Sequence, residues 1–140
     1  IGVTDGAGKT LMDNLLCSPF GNIPAAATAV HHITNEMVKH APAFLERYKE
    51  LSILAAGKIV VIYNKAYDMR LIDQSIARFS SYPLLVPLSW DCAMLAYSKY
   101  VGEWNDYRKD FKWQKLQGGD HSALGDCRAT LEVIKKMAKG

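Results

Sequence analysis

The sequence predicts an α/β fold, and two observations carry that prediction. Lys58-Ile59-Val60-Val61-Ile62-Tyr63 is a β-branched run without polar alternation, as expected of a central parallel strand covered on both faces. Helical patterns flank it: residues 43–56 before it and residues 66–79 after it, the second with Leu71, Ile72, Ile76 and Phe79 spaced to bury one face against a sheet. Helix, strand, helix is the order from which sheets covered by helices are built. With 140 residues, 49% of them hydrophobic, the chain is long enough for one domain with a sizeable core and too short for two. Residues 1–140 are therefore read as a single domain.

The other elements follow from local chemistry. Residues 1–3 and 10–17 flank the turn-forming Asp5-Gly6-Ala7-Gly8, so the opening reads as a β-hairpin. Pro19, Gly21 and Pro24 make residues 18–27 a loop. Thr34 is a good N-cap for a short helix to His40, with Glu36 in its first turn complementing the helix dipole. Pro42 suits the first turn of the next helix, 43–56, which places Phe44, Leu45, Tyr48, Leu51, Ile53 and Leu54 largely along one side and stops at Gly57. Beyond the helix at 66–79, the prolines of Pro83-Leu84-Leu85-Val86-Pro87-Leu88 suggest an edge strand, and residues 91–100 look helical. Residues 102–119 are mixed and yield no clear element. Residues 122–139 form an amphipathic helix with Cys127, Leu131, Ile134 and Met137 inward and Lys135, Lys136 and Lys139 at its dipole-compatible end.

Seventeen basic against fourteen acidic residues give a formal charge of +3, which is compatible with a polyanionic partner without requiring one. The three cysteines, Cys17, Cys92 and Cys127, are widely spaced and form no C-x-x-C pair, so a reduced, cytoplasmic protein is expected. No run approaches the roughly 18 apolar residues of a membrane span, so no membrane partner is expected. Gly8-Lys9-Thr10 lacks the glycine at position 3 that a phosphate-binding loop needs and is read as a hairpin turn.

Two places can carry chemistry. Asn64 and Asp68 follow directly on the apolar strand, where α/β sheets bind ligands, and Asp68 falls in the first turn of its helix. A helix-capping acid is the plainer reading of Asp68. The second place is Asp120-His121-Ser122-Ala123-Leu124-Gly125-Asp126. Five residues turn a helix by roughly 140°, so His121 and Asp126 converge only if His121 lies in the loop, with Ser122 as N-cap. A loop histidine without a special role is the competing reading. Around residues 100–115, Trp104, Tyr107, Phe111 and Trp113 interleave with Arg108, Lys109, Lys112 and Lys115, a mixture able to stack on single-stranded nucleic acid. Glu103, Asp106 and Asp110 dilute it, core packing with a solvated face explains it equally well, and it stays outside the predicted site.

Tyr63-Asn64-Lys65-Ala66-Tyr67-Asp68 resembles the second motif, and His121-Ser122-Ala123-Leu124-Gly125-Asp126 the third, of the DEDDh 3′–5′ exonucleases, the family of bacterial proofreading subunits and RNase T. Val30-His31-His32-Ile33-Thr34-Asn35-Glu36 is similar to its H-G-I-T-D-E stretch, with His32 in place of glycine. The resemblance covers nearly the whole chain. It implies an RNase H-like mixed sheet flanked by helices, with Asp68 and Asp126 binding divalent metal in one acidic cleft, His121 as general base and Asn64 supporting the site. The implied cofactor is a pair of Mg2+ or Mn2+ ions and the implied partner is the 3′ end of single-stranded DNA or RNA. Hard oxygen ligands suit those ions, and an imidazole can take a proton near neutral pH. The family's first motif, D-x-E, has no counterpart before residue 5, and Asp5 falls in the hairpin turn. The expectation is a first strand lost by N-terminal truncation, with impaired nuclease activity and a tendency to homodimerise or swap domains. The alternative expectation is a non-catalytic nucleic-acid-binding or assembly module on an exonuclease-like fold.

Overall fold

Asp5 shapes the first turn: its Oδ1 accepts from the N–H groups of Ala7 and Lys9, both at 2.9 Å. The turn returns the chain so that β1 (Gly2–Thr4) pairs antiparallel with β2 (Thr10–Asp13), the expected hairpin. The structure, a computed structural model, describes residues 1–18, 21–77 and 87–140.

The loop expected over residues 18–27 ends at Pro24, because α1 spans Ala25–His31. Its alanines are strong helix formers, and Pro24 is preorganised to begin a helix, a signal outweighed in the sequence by the nearby Pro19 and Gly21. Thr34 caps α2 (Asn35–Val38) as predicted, its side chain accepting from the Met37 N–H at 3.3 Å. Helix α3 (Phe44–Ala55) starts where Glu46 Oε1 accepts from the Ala43 N–H at 2.7 Å, placing Pro42 just before the helix rather than in it. Tyr48 and Ala55 are buried, whereas Ile53, expected on the buried side, is exposed.

Strand β3 (Ile59–Ile62) pairs in parallel with β4 (Ser89–Cys92). The prediction of two covered faces fails here: Ile59 and Val61 are 61% and 39% exposed, while Val60 and Ile62 are half-buried. An all-apolar run satisfies a strand with one covered face as well as one with two, so the sequence alone could not separate them. Helix α4 (Lys65–Ile76) follows, beginning one residue before the predicted start, with Leu71 exposed. Phe79 and residues 83–86 of the expected edge strand lie outside the described residues. Leu88 is exposed, and Asp91, expected to begin a helix, belongs to β4.

Helix α5 (Ala93–Val101) and helix α6 (Ala123–Ala138) pack together. Met94 and Tyr97 from the first and Ala129 and Val133 from the second are buried. Lys136 Nζ donates to the Tyr97 hydroxyl at 3.1 Å and lies 5.3 Å from its ring centroid, a polar tie at the edge of this packing. Between α5 and α6 runs a small hairpin of β5 (Trp104–Asn105) and β6 (Asp110–Phe111). Strand β1 lies against the start of α6. A side chain at Gly2 would stand 2.8 Å from the Ala123 carbonyl carbon, so glycine is what lets strand and helix approach. Among the described residues the strands form three two-stranded sheets, and no helix is long and apolar enough to cross a membrane.

Candidate active site

Asn64 starts the site by starting a helix. It is the second residue after β3, following Tyr63, and its carbonyl accepts from the N–H groups of Tyr67 at 3.0 Å and Asp68 at 3.2 Å. Asp68 therefore stands in the first turn of α4, beyond the carboxyl end of the strand, as the sequence predicted. The Asn64 side chain makes no capping hydrogen bond. Asp68 is half-buried, and burial pushes its carboxyl above the usual range; its own backbone N–H opposes the shift and the charge of Asp126 adds to it.

The second carboxylate is delivered by the cap of α6. Ser122 Oγ accepts from the Gly125 N–H at 3.0 Å, while Asp120 Oδ1 accepts from the Ser122 hydroxyl at 2.6 Å and from its N–H at 2.9 Å. Those two bonds, the hydroxyl first, hold the Asp120 carboxyl below its ordinary range. With Ser122 fixed as the cap, His121 stays in the loop, the condition that the five-residue spacing imposed. His121 adopts left-handed backbone geometry, φ 63°, and its N–H donates to Asp126 Oδ1 at 3.3 Å.

His121 is bonded to Asp126 through its backbone, and Asp68 is linked to Asp126 by charge alone, with no direct bond between them. Asn64 joins Asp68 through its backbone. Cys127 marks the same place. Its half-buried thiol is pushed up by burial, then by Asp126 and, more weakly, by Asp68, with the N-terminal ammonium opposing. Sequence reasoning passed over Gly119, where an added Cβ would stand 2.5 Å from Asp126 Oδ1. The only available signal was the Gly118-Gly119 pair just ahead of the motif. Tyr63 entered only as part of the second motif, without a role; its hydroxyl donates to the Gln114 carbonyl at 2.7 Å and ties the segment before the third motif to the chain just after β3.

Two carboxylates offer hard oxygen donors of the kind divalent cations take, and their mutual repulsion would be relieved by a cation. Among the described residues, no group of three or more His, Cys, Asp or Glu side chains is arranged to hold a metal ion. A cleft of about 330 Å³, lined by Ile1, Asn14, Leu15, Ile23, His31 and Val38 among others, contains none of the four candidate residues.

The RNase T exonuclease family model matches residues 13–134, a span that holds both carboxylates and the histidine. This chain belongs to that exonuclease family. The exonuclease is 37% identical over 151 aligned residues to the uncharacterized exonuclease CP81 of Escherichia phage 186, a match covering 97% of this chain and 77% of the phage protein. It is 30% identical over 130 residues to a DNA polymerase III subunit epsilon-like protein of Rhodobacter capsulatus, covering 87% of this chain and 18% of that protein. Among solved structures it resembles exonuclease X in complex with 5′-overhanging duplex DNA, with a TM-score of 0.60 and 23% identity over 98% of this chain and 78% of that one. The fold is thus the RNase H-like mixed α/β fold expected from the motifs, and the protein is a nuclease acting on nucleic acid.

Proposed function

We propose that the exonuclease removes nucleotides from the 3′ ends of single-stranded DNA or RNA by two-metal-ion hydrolysis, with Mg2+ or Mn2+ held by Asp68 and Asp126. The observation that supports this reading is the His121 loop bonded to Asp126 at the start of α6, in a chain of exonuclease ancestry whose Asp68, in the first turn of α4, feels the charge of Asp126. Divalent ions held there would supply the charge needed to activate a water and stabilise the leaving oxygen of a phosphodiester.

The chain's own residues do the rest. Asp68 and Asp126 supply negative oxygens from two separate helices, so the ligand set forms only in the folded protein. One Asp126 oxygen accepts from the His121 N–H, which fixes the carboxylate and the histidine relative to each other. His121, exposed and outside the helix, is free to approach a water at the open side and take its proton. Asn64 supports the site by setting the start of α4. Two carboxylates hold magnesium weakly without substrate phosphates, because the ion gives up its waters reluctantly. Metal affinity measured without nucleic acid should accordingly be low and turnover slow.

Single-turnover cleavage of an end-labelled strand tests the assignment of roles. His121→Ala should slow cleavage by ~10²–10⁴-fold with strand binding and melting temperature retained, the usual range for a lost general base. Asp68→Ala should remove both cleavage and metal binding. A His121→Ala protein that cuts at the parental rate, or that loses activity only by unfolding, would overturn the base assignment.

A further inference from the structure

We propose that the β5–β6 hairpin is a stacking platform for the single-stranded tail of the substrate, upstream of the nucleotide being removed. The idea rests on the nuclease site proposed above and extends it along the strand. The turn between β5 and β6 is held in shape: Asn105 Oδ1 accepts from the N–H groups of Tyr107 and Arg108, both at 3.1 Å, and the Asn105 carbonyl accepts from Lys109 at 2.9 Å. That fixed turn turns its large side chains outward. Tyr107 is 96% exposed, and Trp104 and Trp113 are 48% and 55% exposed, so the sequence-based alternative of core packing does not describe them. Trp104 meets Phe111 edge to face with centroids 5.3 Å apart, and the Arg108 guanidinium lies 4.5 Å from the Trp113 ring centroid.

The chemistry selects the occupant. A protein interface of this aromatic content would be depleted in lysine, whereas Lys109, Lys112 and Lys115 interleave with the rings here. Alternating π faces and cations match a strand of alternating bases and phosphates. The acidic residues are partly accounted for. Glu103 pairs with Lys112 at 3.7 Å, and Asp110 Oδ1 accepts from the Phe111 N–H at 2.8 Å. Lys109 and Lys115 take part in none of the ion pairs among the described residues. Position completes the argument. Gln114, beside Trp113, is hydrogen-bonded to Tyr63 just ahead of Asn64, and the chain then runs to Gly119 against Asp126. The chain thus leads from the hairpin, past a tie to the residue before Asn64, into the segment that carries His121 and Asp126.

The test is fluorescence anisotropy of a labelled single strand, as DNA and as RNA, in chelator so that nothing is cut, with steady-state cleavage run alongside. Tyr107→Ala should weaken binding by about 10-fold, the loss of one stacked base, and Tyr107→Phe should restore it. The KM for a long strand should rise with kcat held, and cleavage of a dinucleotide, which fills only the cleavage site, should not change. Equal binding by the parent and Tyr107→Ala, failure of Tyr107→Phe to rescue, or a parent that binds no single strand would each overturn the platform. A parent that binds through the hairpin yet cuts nothing would remove the nuclease mechanism and leave the platform standing. A parent whose cutting and binding ignore the hairpin would do the reverse.

Discussion

Asp68 keeps a carboxylate half-buried within the field of Asp126, and that arrangement has a cost that can be measured. Its folded pKa lies above the unfolded value, mainly through burial and secondarily through Asp126. The stability it contributes is therefore full below the ordinary carboxylate value and is lost as pH rises through the raised one. In chelator at neutral pH, Asp68→Asn should melt higher than the parent, and the two should converge in acid below about pH 3.9. Divalent cation added together with a non-cleavable single strand should raise the melting temperature of the parent and leave Asp68→Asn at its strand-only value, since only a ligand that binds the native state stabilises it. An Asn variant that melts lower at neutral pH without metal would contradict the electrostatic account. At this scale the sequence was informative wherever the controlling bonds are local. The Ser122 cap and the loop position of His121 follow from residues within a few positions of each other. The crowding of Gly119 on Asp126 and the Tyr63 bond to Gln114 depend on how distant segments meet, and no local pattern announces them.

Helix α1 ends at His32, which takes left-handed geometry with φ 59° while its N–H donates to the Thr28 carbonyl at 2.8 Å. Glycine is the residue that terminates helices this way without steric cost. His32→Gly should therefore stabilise the protein by about 1 kcal/mol, the left-handed penalty less glycine's added chain entropy. Chemical denaturation reads this directly, and a destabilised His32→Gly would mean that the imidazole makes up more than the strain. His32 stands where the resembled H-G-I-T-D-E stretch has glycine, and the backbone supplies the reason glycine suits the position. Other elements were less legible. Helix α1 itself was hidden by neighbouring prolines and glycine, and the β5–β6 hairpin is two residues a side, too short for any periodicity to register.

Across the whole molecule, the α/β class and the longer helices α3, α4 and α6 were readable because their apolar spacing repeats over ten residues or more, while the RNase H-like fold came from the motif resemblance. The exposure of β3 was not readable, since coverage of a face is decided by elements far away in the chain. Ile59, Val61 and Leu88 place exposed apolar surface on or next to this strand pair. Surface of that kind favours association. Sedimentation should show concentration-dependent self-association that Ile59→Lys reduces, and a strictly monomeric parent at high concentration would count against it. The central claim is narrower: Asp68 and Asp126 act as one metal site on an exonuclease fold. Manganese binding, followed by electron paramagnetic resonance with a non-cleavable single strand present, tests it through Asp68→Asn, Asp126→Asn and the double variant. Each single substitution is predicted to remove most of the binding, and the double variant should be no worse than either, because partners in one site do not contribute independently. Losses that simply add, or parental binding in either single variant, would contradict the account.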